Sequence, residues 1–227
     1  MTSAFPPIHL MVASALAFAL HFLVFSQVDL ITSSALYDPQ SGFVLSGNVL
    51  FDTVRQYLGV LILALLAGPA LIWLLSLRSP NQEKWKARRP AALFLVLSLL
   101  LGPGLMVNTV FKDQWGRARP SKVENFGGQA HFTSAWVISD QCNKNCSFVC
   151  GDASVGYGLM ALAFVSRRPR TWLTIGFVAG SALGLMRMGQ GGHFFSDVVF
   201  SFYVVYFTVW ALHRFMTRGG RAMPTLD

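Results

Sequence analysis

Six stretches of this 227-residue sequence are long and apolar enough to lie in a bilayer, and no other feature narrows the fold as much. They cover about residues 8 to 27, 55 to 77, 91 to 111, 152 to 166, 171 to 187 and 194 to 212. A soluble domain of this size closes one core and has no need of repeated runs of about 20 apolar residues. With 53% hydrophobic residues, 19 Phe and only 12% charged residues, composition points the same way. The expected fold is all-α, a polytopic membrane helical bundle with six transmembrane helices. It is read as one membrane-embedded domain over residues 1–227 with both termini on one side.

Gly68-Pro69 and Gly102-Pro103-Gly104 fall inside the second and third runs and predict kinks that a bundle tolerates, because neighbouring helices satisfy the freed carbonyls. Gly156, Gly158, Gly176, Gly180 and Gly184 make the short fourth and fifth runs read as closely packed helices. Residues 8 to 27 followed by Ser33-Ser34-Ala35 also have the outline of a secretory signal. No Lys or Arg precedes the run, however, and it is long enough to span.

The net charge of +8 matters less than where it sits. Lys84, Lys86, Arg88 and Arg89, then Arg167, Arg168 and Arg170, then Arg214, Arg218 and Arg221 all fall on one side of a six-span bundle. By the positive-inside rule that side, with the termini, is cytoplasmic. The loop of about 112–151 and the turn before residue 194 then face the periplasm or exterior. No nucleic-acid partner is expected.

Chemistry concentrates on that outer side. Lys112, Arg117 and Arg119 crowd the end of the third run, costly at a membrane surface unless they hold an anion. A phosphate suits planar guanidinium forks and an ammonium, although an interfacial basic anchor is also compatible with the cluster. Further on, Arg187 precedes Gly189, Gly191-Gly192, His193 and Asp197. His193 and Asp197, four apart, share a helical face, so the carboxylate can fix the tautomer and leave the other nitrogen free to attack. A helix-capping histidine beside a buried Asp is the structural alternative.

Together the segments resemble the first and third motifs of the type 2 phosphatidic acid phosphatase superfamily. Lys112, six residues, Arg119-Pro120, and later Arg187, five residues, His193, three residues, Asp197 meet both spacings without a gap. The resemblance covers about residues 90 to 212 and implies a metal-independent lipid phosphatase with no cofactor. In it Lys112, Arg119 and Arg187 bind the phosphate, His193 forms a phosphohistidine and Asp197 orients it. The second motif departs: where the family has Pro-Ser-Gly-His, this sequence has Val149-Cys150-Gly151-Asp152. Asp152 would have to replace the histidine that protonates the leaving alcohol; an inactive substitution, or an Asp that pairs with the basic cluster, is the alternative. Cys150 stands at the phosphate-contacting serine, with the backbone amides of Cys150 and Gly151 as alternative donors.

Cys142 and Cys146 suit a short disulfide in an oxidising compartment; free thiols and a metal knuckle lacking a fourth ligand are the alternatives. Trp115, Phe132 and Trp136 read as an interfacial aromatic belt, and His131 as a loop residue within reach of the site. The Asn125-Phe126-Gly127-Gly128 segment and the altered second motif are similar to bacterial members acting on lipid A phosphates, at the periplasmic face of an inner membrane. Phosphatidylglycerophosphate, phosphatidic acid and undecaprenyl pyrophosphate are the other substrates this chemistry admits. A non-catalytic protein binding anionic lipid would carry charge deep in the bundle, whereas here it gathers at one surface.

Overall fold

The computed structural model describes residues 5–78 and 83–226, except the side chains of residues 84 and 85. The expected side-chain contribution of Lys84 to the basic loop lies outside the described residues. The chain begins with α1 (Ile8–Val24) and α2 (Gln27–Ser34), bent 82° from each other at Phe25-Ser26. A two-residue hairpin, β1 (Tyr37–Asp38) and β2 (Gly42–Phe43), leads into α3 (Val49–Arg78). Then follow α4 (Glu83–Leu99), a π-helical stretch (Leu100–Phe111) and the short α5 (Lys112–Gln114), which together form one long rod. After an irregular loop come α6 (Gly151–Gly158) with a 3₁₀ extension (Leu159–Phe164), α7 (Pro169–Gly189) and α8 (Phe195–Met216).

Four of these helices are long and apolar enough to cross a membrane: α3, the rod of residues 86–114, α7 and α8. The bent α1–α2 pair makes a fifth candidate. The fourth expected span is represented by α6 and its 3₁₀ extension, which do not form one long regular helix. Their glycines explain the placement. A Cβ at Gly156 would run into the backbone of Ala179 and Gly180, and one at Gly180 would meet the Tyr157 ring, so α6 and α7 touch backbone to backbone.

Pro69 is absorbed inside a continuous α3, whereas Pro103 coincides with the π-helical register. Proline offers no N–H and its ring crowds the carbonyl four residues back, and a wider turn relieves both. The Asn108 amide caps the Pro103 carbonyl at 2.6 Å. α3 is nearly all exposed, burying only Leu58 and Ser76, as expected of a helix that faces lipid. The main core lies between the rod, α6 and α8, around Phe94, Val107, Phe148, Phe200 and Tyr206.

Hydrogen bonds orient the bundle. Asp52, in the first turn of α3, meets Gln190 in the α7–α8 turn (3.0 Å), placing these two at one end. Phe5 packs on Phe164, and Leu226 bonds Val165 (2.8 Å) at the other end, which also carries Arg168, Arg214 and Arg218. Both described termini therefore share the basic end, opposite Lys112, Arg119 and His193. A small second core of Phe43, Ala118, Val123, Phe126 and Phe194 caps the polar end. The aromatics expected as a belt pack into protein instead. Trp115, Trp136, Phe111, Phe148 and Phe200 form a cluster of edge-to-face and tilted contacts, and Phe132 meets Phe194 edge to face at 5.2 Å.

Candidate active site

The site is assembled where the loop of residues 115–150 threads back into the bundle. Residues 146–150 are fully buried: Cys146 bonds the Lys112 carbonyl (3.0 Å), Ser147 the Arg117 carbonyl (2.8 Å), and the Cys150 amide the Asp197 carbonyl (3.1 Å). These bonds hold the ends of three distant segments together. The α7–α8 turn is fixed from the other side, with Ser121 donating to the Gly191 carbonyl (3.0 Å) and Leu45 to that of Gly189 (2.9 Å). Gly191 has φ +65° with the Phe43 ring against it, a conformation and a space that suit only glycine.

His193 is buried at the end of this turn. Its Nδ1 lies 2.7 Å from the Ser147 carbonyl oxygen and 3.7 Å from Asp197 Oδ2. A carbonyl only accepts, so Nδ1 carries the proton and Nε2 presents its lone pair; among the described residues Nε2 has no hydrogen-bond partner. Nδ1 thus faces two acceptors, the Ser147 carbonyl at 2.7 Å and, further off, the Asp197 carboxylate expected from the sequence; no sequence signal marks Ser147, which acts through its backbone. The Asp197 carboxylate accepts from Arg117 Nη1 (2.5 Å), Ser147 Oγ (2.5 Å) and the Phe194 amide (2.8 Å).

Arg117 does not join the phosphate cluster. It is fully buried, with Nη1 on Asp197 and Ser196 Oγ (2.9 Å), Nη2 on Asp29 (2.8 Å) and Nε on the Thr133 carbonyl (2.8 Å). The motif spacing passes over Arg117 but does not reveal its partners, which come from α2 and α8.

The remaining cations do converge. A Cβ on Gly151 would stand 2.7 Å from Lys112 Nζ, so the bare glycine at the start of α6 lets the ammonium approach. Likewise, a side chain on Gly192 would collide with the Arg187 guanidinium. Arg187 pairs with Asp152 (2.7 Å) and bonds Gln190 (2.6 Å). Arg119 donates to the Asn145 carbonyl (2.9 Å from Nη2) and side chain (3.0 Å). Asn145 lies within the loop closed by a Cys142–Cys146 disulfide, a positioning residue that no motif flagged. Arg119, Arg187, Arg55, Lys122 and Asp52 line a common polar cavity of about 360 Å³.

Two other expectations change. The Cys150 amide is spent on the Asp197 carbonyl and so is not the free backbone donor expected, while burial, pushing the thiol pKa up to about 12, keeps the side chain a protonated S–H. Gly151 remains at the cation cluster. His131 is exposed and paired with Glu124 (3.1 Å), not turned to the site. Among the described residues no group of three His, Cys, Asp or Glu side chains is placed to hold a metal ion.

The electrostatics suit a neutral nucleophile among cations. Burial pulls the His193 pKa down to about 4 against the opposing pull of Asp197, and Arg119 and Lys112 lower it further. Burial, then the neighbouring Arg187 and Arg55, hold the Arg119 pKa below its usual value. Cations crowded in this way are relieved by a bound anion.

Residues 91–221, which hold every one of these cations except Arg55, match the PAP2 superfamily. The chain belongs to the PAP2 superfamily. Among its relatives in this superfamily, a protein of Francisella tularensis subsp. novicida is 51% identical over 140 residues, 60% of this chain and 63% of its own length. One from Rhizobium leguminosarum is 34% identical over 181 residues, 78% of this chain and 77% of its own length. A Rhizobium etli protein is 43% identical over 103 residues. All three are named lipid A 4'-phosphatase. No solved structure matches this PAP2 member.

Proposed function

We propose that this protein is an integral membrane lipid phosphatase that hydrolyses the 4'-phosphate monoester of lipid A through a phosphohistidine. The reading rests on the unpartnered Nε2 of buried His193, its Nδ1–H held by the Ser147 carbonyl, within the field of Lys112 and Arg119. The relatives' shared name supplies the substrate.

Arg119, Arg187 and Lys112 bind the phosphoryl oxygens and stabilise the charge that builds on them in the transition state. The Nε2 lone pair forms the P–N bond as the P–O bond to the headgroup breaks, and the leaving alkoxide takes a proton. Phosphorylated on Nε2 and protonated on Nδ1, the imidazole is cationic, and Asp197 at 3.7 Å balances it. Water then attacks phosphorus, loses a proton to the base, and inorganic phosphate leaves while Nε2 recovers its electron pair. Asp152 serves as the acid and then the base. In the free protein it pairs with Arg187 at 2.7 Å, beside the residues proposed to hold the phosphate.

In this reading residues 1–227 form one domain with six crossings. α6 and its extension together rise about 24 Å, because 3₁₀ turns are longer per residue. The polar end faces the periplasm of a Gram-negative inner membrane and the termini face the cytoplasm, so a lipid in the outer leaflet presents its headgroup without leaving the bilayer. The test is inorganic phosphate release by purified protein in detergent, given lipid A, phosphatidic acid or phosphatidylglycerophosphate. Release from lipid A that His193→Ala abolishes is expected. Release from the glycerolipids alone would overturn the substrate, and release that survives His193→Ala would overturn the nucleophile.

A further inference from the structure

We propose that Arg117 and Asp29 form a positioning clamp that sets the nucleophile from outside the family domain, a role that rests on His193 being the nucleophile. Asp29 lies on α2, beyond the matched residues 91–221, yet it is fully buried against the start of α8. One carboxylate oxygen accepts from the Ser196 amide (2.8 Å), and the other from Ser196 Oγ (2.6 Å) and Arg117 Nη2 (2.8 Å). The guanidinium thus bridges two carboxylates, Asp29 and Asp197, with its face over the Phe194 ring at 4.3 Å.

Both arms reach His193. Through Asp197, Arg117 fixes the carboxylate that also takes the Ser147 hydroxyl, and Arg117's own carbonyl receives the Ser147 amide (2.8 Å). Ser147 is therefore held at both its side chain and its amide, and its carbonyl is the group that aligns the imidazole. Asp29 fixes Ser196, three residues after His193, from the far side of the guanidinium. A lone Arg–Asp197 pair would leave half of a buried fork without an acceptor, which is costly in a dry interior. The second carboxylate completes the fork, and it makes the bent α1–α2 pair part of the catalytic machinery.

The clamp has an electrostatic signature. Asp29, Arg117 and Asp197 carry one net negative charge, and the other charged groups near His193 are Lys112, Arg119, Arg187 and Asp152. Arg117→Gln leaves two negative charges and favours the imidazolium, so the acid limb of the rate profile moves to higher pH. Asp29→Asn leaves none and moves the limb to lower pH. The double variant restores one negative charge and returns the limb towards the wild-type position.

Phosphate release from lipid A across pH, with kcat and KM separated, tests this on the purified full-length protein. Asp29→Asn is expected to lower kcat about tenfold with KM changed less than about twofold, as for a misaligned nucleophile with intact phosphate binding. If the limb is unmoved in every variant that folds while only thermal stability drops, the residues are purely structural and the proposal falls. Should Arg117→Gln not fold, Asp29→Asn and the double variant decide. His193→Ala keeps the two readings apart: if it retains full activity the nucleophile assignment fails, whereas if it is dead and the clamp variants act like wild type, only the clamp fails.

Discussion

At the scale of the residue, the motif spacings made Lys112, Arg119, Arg187 and His193 legible because the fold brings these side chains to one end of the bundle from fixed sequence offsets. Ser147, Asn145 and the true partners of Arg117 were not legible. Ser147 and Asn145 work partly through carbonyl groups, which every residue possesses, and Arg117 finds Asp29 and Asp197 across 88 and 80 residues. His193 must be neutral to attack, and it loses its proton above its pKa, held near 4 by burial, so activity governed by it stays level from neutral pH down to about pH 5 and falls below. A rate profile whose acid limb lies near 6.5 would show an imidazole that is solvated, not buried. Asp152→Asn should lower kcat by about 10²-fold, the usual worth of a general acid, and a rate equal to wild type would remove Asp152 from proton transfer.

At the scale of the element, hydropathy located every long helix, but the apolar run of residues 152 to 166 proved short and partly 3₁₀, because packing of glycines against α7, and not lipid exposure, shapes it. Gly156→Ala tests that contact. Its new methyl meets backbone on α7, which cannot rotate away, so the unfolding midpoint in detergent should fall by an amount equivalent to about 1–3 kcal/mol. Because α6 carries Asp152 in its first turn, kcat should fall as well. The disulfide loop gives a contrasting case. Cys142→Ser frees Asn145, the anchor of Arg119, so KM should rise by roughly tenfold, the worth of one charge-assisted hydrogen bond, with kcat less affected. A KM equal to wild type would mean that Arg119 is held without the loop.

At the scale of the whole molecule, charge and hydropathy make one arrangement self-consistent. Arg168, Arg214, Arg218 and both described termini share one end, and His193 with Lys112, Arg119 and Arg187 the other. An apolar cavity of about 440 Å³ between α1, the rod and α8, lined by Leu16, Met106, Trp136 and Phe207, opens beside the same bundle, so a substrate could keep its acyl chains in an apolar setting. Cysteine labelling in intact cells tests which end faces outward. The natural protein is a clean background, since Cys142 and Cys146 are bonded to each other and Cys150 is buried with its thiol pKa pushed up to about 12. It should take up no membrane-impermeant maleimide. Gln129→Cys, exposed in the long loop, should be labelled in cells whose outer membrane alone is permeabilised, and Arg221→Cys, exposed beyond α8, only after the inner membrane is broken. The reverse pattern would put the phosphate-binding end in the cytoplasm, where lipid of the outer leaflet cannot reach His193.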